Sequence, residues 1–281
     1  MIIGLLHPGN MGAAIGARLK SSGHTVLWHP AHRSQATRDR ATRAGLTTCD
    51  SLTELLNQAA TVLSVCPSAA ALSIAEEVAR CEYAGVYIDA NAISPKQMVH
   101  IADLVGSAGA DVADATISGP PPDAESSPKF FLAGPDHAVG VAAELLEEAR
   151  FAVDALSETI GAASALKMAL ISYQRPARLL AAIAHGLAGS YGVTEAFTAE
   201  ADRVGTDILG ERGALPSVAA RAWRWIPELH EVAQSLDING LPDEFATAAA
   251  RLYELFIDDK DNWELAPEDV IKRLENSQSR R

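Results

Sequence analysis

The first residues able to do chemistry are His7, Pro8, Gly9, Asn10, Met11 and Gly12. They follow an apolar run of strand length, Met1-Ile2-Ile3-Gly4-Leu5-Leu6. They precede Ala13-Ala14-Ile15-Gly16-Ala17-Arg18-Leu19-Lys20, which reads as a helix. Strand, glycine turn and helix in this order form the setting of a dinucleotide-binding loop. Gly9 lets the backbone approach a pyrophosphate, and Gly12 lets the helix pack tightly on the strand. The helix N-terminus offers N–H groups and the positive end of its dipole to phosphates. His7 stands where the usual fingerprint has its first glycine, and a G-x-x-G alone also marks ordinary strand-to-helix turns. Position decides between these readings. The loop opens the chain, and a second strand, His24-Thr25-Val26-Leu27-Trp28-His29, follows the Ser21-Ser22-Gly23 stop at the expected distance.

The end of that second strand is where ribose specificity is set. An acid there holds a 2′-hydroxyl, whereas an arginine accommodates a 2′-phosphate. The segment reads Pro30-Ala31-His32-Arg33-Ser34-Gln35-Ala36-Thr37-Arg38, with no acid before Asp39. Arg33 offers a planar fork to a phosphate, and Ser34 offers a hydroxyl that can also cap the next helix. A solvated basic loop would look similar. Behind a dinucleotide loop, the segment favours NADP over NAD.

The elements that position these residues alternate through the first half. Helices are predicted near Ser34–Ala44, at Ser51–Gln58 with a capping box in Ser51-Leu52-Thr53-Glu54, at Ser68–Arg80 and at Ser94–Ala108. Between them lie strands near Leu46–Thr48, Ala60–Cys66, Gly85–Ala90, Asp111–Ile117 and Lys129–Gly134. Such alternation argues an α/β fold, a doubly wound, mostly parallel sheet covered on both faces. From Ser157 to Glu275 the periodicity is almost wholly helical, with candidates at Ile160–Gln174, Ala177–Tyr191, Gly192–Val204, Ser217–Ser235, Pro242–Phe256 and Ala266–Asn276. Pro176 is expected to break the apolar stretch Ala162–Ala188. We therefore expect a nucleotide-binding domain over residues 1–155 and a separate all-α domain over 156–281, with a frayed tail at Ser277–Arg281.

Bulk properties exclude several classes. A net charge of −13 over 281 residues makes nucleic acid and anionic membrane poor partners. Cys49, Cys66 and Cys81 show no metal or disulfide spacing, which fits a reducing cytoplasm. The chain starts directly in a strand without a basic leader, and no apolar run reaches the ~18 residues of a membrane span. The eight histidines show no ligand spacing, so no metal is predicted.

Four segments together resemble the 6-phosphogluconate dehydrogenase-like, or β-hydroxyacid dehydrogenase, superfamily. Gly4-Leu5-Leu6-His7-Pro8-Gly9-Asn10-Met11-Gly12 is similar to its G-x-I-G-x-G-x-M-G. Ile88-Asp89-Ala90-Asn91-Ala92-Ile93-Ser94-Pro95 is similar to its D-x-S-T-x-x-P. Asp114-Ala115-Thr116-Ile117-Ser118-Gly119 is similar to its D-A-P-V-S-G-G. Gly161-Ala162-Ala163-Ser164-Ala165-Leu166-Lys167 is similar to the segment with its catalytic lysine. The resemblance implies a Rossmann domain joined by one long helix to a helical domain that often forms the dimer. The second half, with Ala222-Trp223-Arg224-Trp225, resembles a less characterised subgroup, and the two tryptophans read as packing or dimer contacts.

From the resemblance follow the expected roles. Lys167, which on periodicity alone reads as a lysine packing its stem and reaching water, becomes the proton-transfer residue. In a dry pocket beside a cationic nicotinamide its charged form would be disfavoured. Ser118 and Gly119, at a strand's C-terminal end, hold a substrate carboxylate or carbonyl oxygen. Cys66, Pro67 and Ser68 line the cofactor cleft, and Asn91 lies near the nicotinamide. Two further departures from the pattern stand out. Pro120-Pro121-Pro122 replaces a second glycine and stiffens the substrate loop. Ile171 occupies the position of a substrate-holding asparagine, which points to a more apolar substrate. The leading reading is an NADP-dependent oxidoreductase acting on a 3-hydroxyacid-like alcohol or the matching carbonyl. An imine reductase, whose relatives commonly lack the lysine, and a catalytically silent dinucleotide-binding protein are the alternatives.

Overall fold

The computed structural model describes residues 1–203 and 211–276; Val204, at the end of one predicted helix, and the Ser277–Arg281 tail lie outside the described residues. Eight strands form one sheet: β1 (Ile2–Leu5), β2 (Thr25–Trp28), β3 (Thr47–Thr48), β4 (Thr61–Ser64), β5 (Val86–Asp89), β6 (Asp111–Ser118), β7 (Lys129–Ala133) and β8 (Ala152–Ser157). Their order is β3-β2-β1-β4-β5-β6-β7-β8. All pairs are parallel except β6 with β7. The crossovers carry α1 (Asn10–Ser21), α2 (Gln35–Arg43), α3 (Leu52–Gln58), α4 (Ser68–Arg80) and α5 (Pro95–Ser107). The strand order reverses at β1, as in a doubly wound nucleotide-binding sheet.

The two-residue period of a strand explains why both faces are apolar. Leu63 and Ile88 enter one core with Ile3, Leu5 and Ile15, while their neighbours Val62 and Tyr87 enter the other with Leu55 and Ile101. Serines cap three of the crossover helices. Ser34 accepts from the Thr37 N–H, Ser51 from Glu54 and Ser94 from Gln97. The predicted capping box closes only halfway, because the Glu54 carboxylate accepts from the Asp50 N–H, one residue before the cap. A helix α6 (Asp136–Glu148) precedes β8 and adds Ala138, Ala142, Leu145 and Leu146 to the first core.

The chain forms two compact units, Met1–Lys167 and Met168–Arg281. The first extends beyond the sheet because the opening turns of α7 (Ala162–Ser190) are tied to β6, as described below. The second is helical: the rest of α7, α8 (Thr194–Arg203), α9 (Pro216–Ile238), α10 (Glu244–Tyr253) and α11 (Pro267–Glu275). Its core gathers Met168, Ile171, Leu179, Trp225, Leu229, Tyr253 and Phe256. The expected break at Pro176 does not occur, and α7 runs through it for 29 residues. Proline removes one N–H from a long hydrogen-bond ladder, and burial of Ile171 and Leu179 on either side keeps the helix continuous. Among the described residues no helix is long and apolar enough to cross a membrane.

Candidate active site

The predicted residues of the first unit collect at the C-terminal ends of β1, β2, β4, β5 and β6. Ligands bind at this edge in open parallel sheets. After β1 the Gly9 N–H donates to the His7 carbonyl at 2.9 Å, forming the turn that starts α1. Gly9 is the N-cap and no side chain caps the helix, so its first N–H groups remain available to an anion. A Cβ on Gly12 would lie 2.2 Å from the His7 carbonyl oxygen, so only glycine permits this approach. The His7 ring covers Gly9, its Cδ2 3.2 Å from where a Cβ would stand. Pro8 is buried, Met11 half-buried and Asn10 exposed at the helix start.

Arg33 reaches from the end of β2 to that of β1, where its Nη2 donates to the Leu6 carbonyl at 3.2 Å. Its Nε is buried without a hydrogen-bond partner among the described residues. Together with His29, Leu52, Leu55, Ile74 and Glu77, Leu6 and Arg33 line a pocket beside the glycine turn. Ser34 is exposed and its hydroxyl serves as the α2 cap. After β4, the Ser68 Oγ at the start of α4 is also buried without a hydrogen-bond partner among the described residues. The open helix end, the Gly12 close approach and the two orphaned polar atoms fit a bound dinucleotide.

Asn91, buried just after β5, spends its side chain on the neighbouring backbone and side chains. Its Oδ1 accepts from the Cys66 N–H at 2.6 Å, its Nδ2 donates to the Ser64 hydroxyl, and its own N–H donates to Asp89. The side chain thus fastens the end of β4 to that of β5 and shapes the Cys66–Pro67–Ser68 turn. Burial, then Asp89, pushes the Cys66 thiol up to about 12, so it is no nucleophile near neutral pH.

Around β6 the structure is most closely built. Asp114 Oδ2 accepts from the N–H groups of Gly161 and Ser164, and Oδ1 accepts from the Ser164 hydroxyl at 2.8 Å. Thr116 donates to the Ala163 carbonyl at 2.6 Å. These bonds pin the N-terminus of α7 to the strand, with a carboxylate at the helix's positive end. One turn later, the half-buried Lys167 donates from Nζ to the Ile117 carbonyl at 2.7 Å. Its amine therefore stands next to Ser118 and Gly119. Gly119 has a φ of +118°, and a Cβ there would meet Pro128 at 3.1 Å, so the turn out of β6 requires glycine. Ile171 belongs to the helical unit, where it is 1% exposed within the core.

Residues 2–154 match the family model described as the NAD binding domain of 6-phosphogluconate dehydrogenase. The chain belongs to this family. It is an NAD(P)-dependent oxidoreductase, as the sequence resemblance implies. Residues 188–256 match a domain of unknown function (DUF1932). No curated protein matches the sequence significantly. Solved structures share the fold. Mycobacterium tuberculosis 3-hydroxyisobutyrate dehydrogenase with L-serine is 22% identical, covering 97% of this chain and 98% of that one, with a TM-score of 0.73. Psf3 in complex with NADP+ and 2-OPP is 20% identical, covering 90% and 93%, with a TM-score of 0.69. Streptomyces aurantiacus imine reductase is 20% identical, covering 97% and 99%, with a TM-score of 0.63.

Two buried acids sequence reasoning did not assign, Asp89 and Asp114, give the family site a pH dependence. Burial raises the Asp89 carboxyl from 3.8 to about 7; the Asn91 N–H opposes the rise and Asp114 adds to it. Asp114 is raised too, by burial, against the pull of its hydrogen bonds to Ser164 and Gly161. Between these limits the native state holds a proton that the unfolded chain has released. Stability must therefore fall as pH rises from about 4 to about 7. Urea midpoints measured across that window should decline in the wild type, and Asp89→Asn should flatten the decline.

Proposed function

We propose that this family member is an NADP-dependent oxidoreductase that interconverts a 3-hydroxyacid-like alcohol and its carbonyl, with Lys167 as the proton-transfer residue. The observation that carries the reading is the Lys167 ammonium held at the end of β6 beside Ser118 and Gly119, with Asp114 anchoring its helix. Bound at the glycine turn, the cofactor would supply the hydride acceptor or donor. Gly9 to Gly12 and the α1 N-terminus would hold its pyrophosphate, Arg33 and Ser34 its 2′-phosphate, and Pro67, Ser68 and the Asn91-shaped turn its nicotinamide half. Ser118 and the Gly119 N–H would bind a carboxylate or carbonyl oxygen of the substrate. A neutral Lys167 amine takes the hydroxyl proton as the alcohol is oxidised, and the ammonium returns it to the carbonyl oxygen in the reverse direction.

Arg33 supports the NADP preference, since its buried, unpaired Nε and the absence of an acid after β2 suit a phosphate better than a hydroxyl. Arg33→Ala should weaken NADP binding about tenfold or more, as expected for a lost charge-assisted hydrogen bond, and leave NAD nearly unchanged. Equal affinity of the native protein for both cofactors, measured by titration calorimetry, would contradict the assignment.

We place the protein in the cytoplasm as a homodimer built through its helical domain. Three free cysteines suit a reducing compartment. On the helical unit Tyr173, Leu180 and Ile183 of α7 are 69%, 53% and 41% exposed, an apolar surface that a second copy would cover. Light scattering at micromolar concentration should give twice the 29.6 kDa chain mass, and a monomer would count against the dimer.

Imine reduction is the second reading, suggested by the fold shared with the Streptomyces aurantiacus imine reductase and opposed by the presence of Lys167.

A further inference from the structure

We propose that the helical unit carries its own binding site for a small oxyanion, a carboxylate or phosphoryl group, grasped by Arg178 and Arg221. On α9, Arg221, Arg224, Trp225 and Glu228 follow the i, i+3, i+4, i+7 spacing that lines up one face of a helix. Arg175 and Arg178 stand three residues apart on α7. Glu228 is the acid among them. Its side chain is 2% exposed, and both its oxygens are taken. Oε2 accepts from Arg175 Nε at 3.1 Å and Nη2 at 2.9 Å, and Oε1 accepts from Arg224 Nε at 3.1 Å.

Arg178 and Arg221 are left over. Among the described residues neither meets a carboxylate. The Arg221 guanidinium lies 4.8 Å from the Trp263 ring centre and 5.9 Å from that of Trp225. Arg175 stacks on the same Trp225 ring at 4.7 Å, so two guanidinium groups share one aromatic floor. Aromatic rings hold a guanidinium plane in place but supply no negative charge. Arg221 keeps an exposed side chain, yet desolvation, then Arg175, Arg178 and Arg224, push its pKa below the usual arginine value, and Glu228 opposes them.

Arginine stays protonated under such pressure, so the cost persists as like-charge repulsion. Among the described residues Glu228 is the carboxylate that meets this group of four arginines, which leaves a local excess of positive charge. An oxyanion relieves it: guanidinium forks match the planar oxygens of carboxylates and phosphates, and rigid stacking reduces the entropy lost on binding. The family's nucleotide and proton-transfer residues are all in the other unit, so this site stands or falls independently of them.

The test titrates the full-length protein with inorganic phosphate and, separately, with malonate, at ionic strength held constant with chloride. Tryptophan fluorescence and thermal midpoint are followed. A saturable response to either anion is expected, and the preferred anion distinguishes a phosphoryl from a carboxylate ligand. Arg178→Gln, and the double variant Arg178→Gln/Arg221→Gln, should bind about tenfold more weakly or worse. Arg33→Ala, at the nucleotide pocket, should bind the anion as the wild type does. The proposal is overturned by the absence of a saturable response to both anions, by undiminished affinity in the Arg178→Gln protein, or by loss of binding in Arg33→Ala.

Discussion

Lys167→Ala should lower turnover by about two to four decades, the usual worth of a general acid–base group, while NADPH affinity changes little. The split follows from geometry. Lys167 Nζ sits at the Ile117 carbonyl, at the end of β6, whereas the phosphate-binding residues are at the ends of β1 and β2. Steady-state kinetics and a fluorescence titration of NADPH measure the two quantities separately. A variant with near-native turnover would remove Lys167 from the mechanism and move the silent-binder and imine-reductase readings forward.

Asp114→Ala should be the most damaging substitution away from the reacting groups. Its carboxylate accepts three hydrogen bonds from Gly161 and Ser164, and Ser164 is fully buried. Truncation leaves those donors without an acceptor, at about 1–3 kcal/mol each. Relief of the buried carboxylate's own desolvation offsets part of this, so a net loss near 3 kcal/mol is expected in urea unfolding. Because Lys167 lies one turn beyond Ser164, turnover should also fall by about tenfold, through misplacement of the amine. The dissociation constant for NADPH should hold. A stability loss without any change in turnover would show that Asp114 serves the fold alone.

The fold was legible where physical signal is local. Strand-length apolar runs with a two-residue period, serines before helices and the glycine turn of β1 all act over a few residues, and the sheet follows them. The edge strand β8 was missed because most of its residues are exposed, which leaves little alternation to read. Helix α6 was also missed, although it carries a helical signal in the i, i+4, i+7, i+8 spacing of Ala138, Ala142, Leu145 and Leu146. The expected break at Pro176 failed because one lost hydrogen bond weighs less than burial on both sides of it.

The candidate site divides in the same way. Residue types and their order pointed to Gly9, Gly12 and Arg33, and the family resemblance pointed to Ser118 and Lys167. Their partners come from tertiary proximity: Arg33 with Leu6, Asn91 with Cys66 and Ser64, and Asp114 with Ser164 fifty positions away. The family motif carries Asp114 openly, yet only the structure shows that it fastens the helix bearing Lys167. Likewise, Glu228 lies 53 positions from the Arg175 it binds, and no spacing rule links the two.

The most direct test of the central claim is a single assay of the purified protein with NADP(H) against two substrate panels, 3-hydroxyacids with their carbonyl partners and cyclic imines, read by nicotinamide absorbance. NADP reduction by at least one hydroxyacid, reversal with its carbonyl, and no turnover of the imines are expected. Imine reduction without hydroxyacid oxidation, or cofactor binding with no turnover on either panel, would contradict the claim.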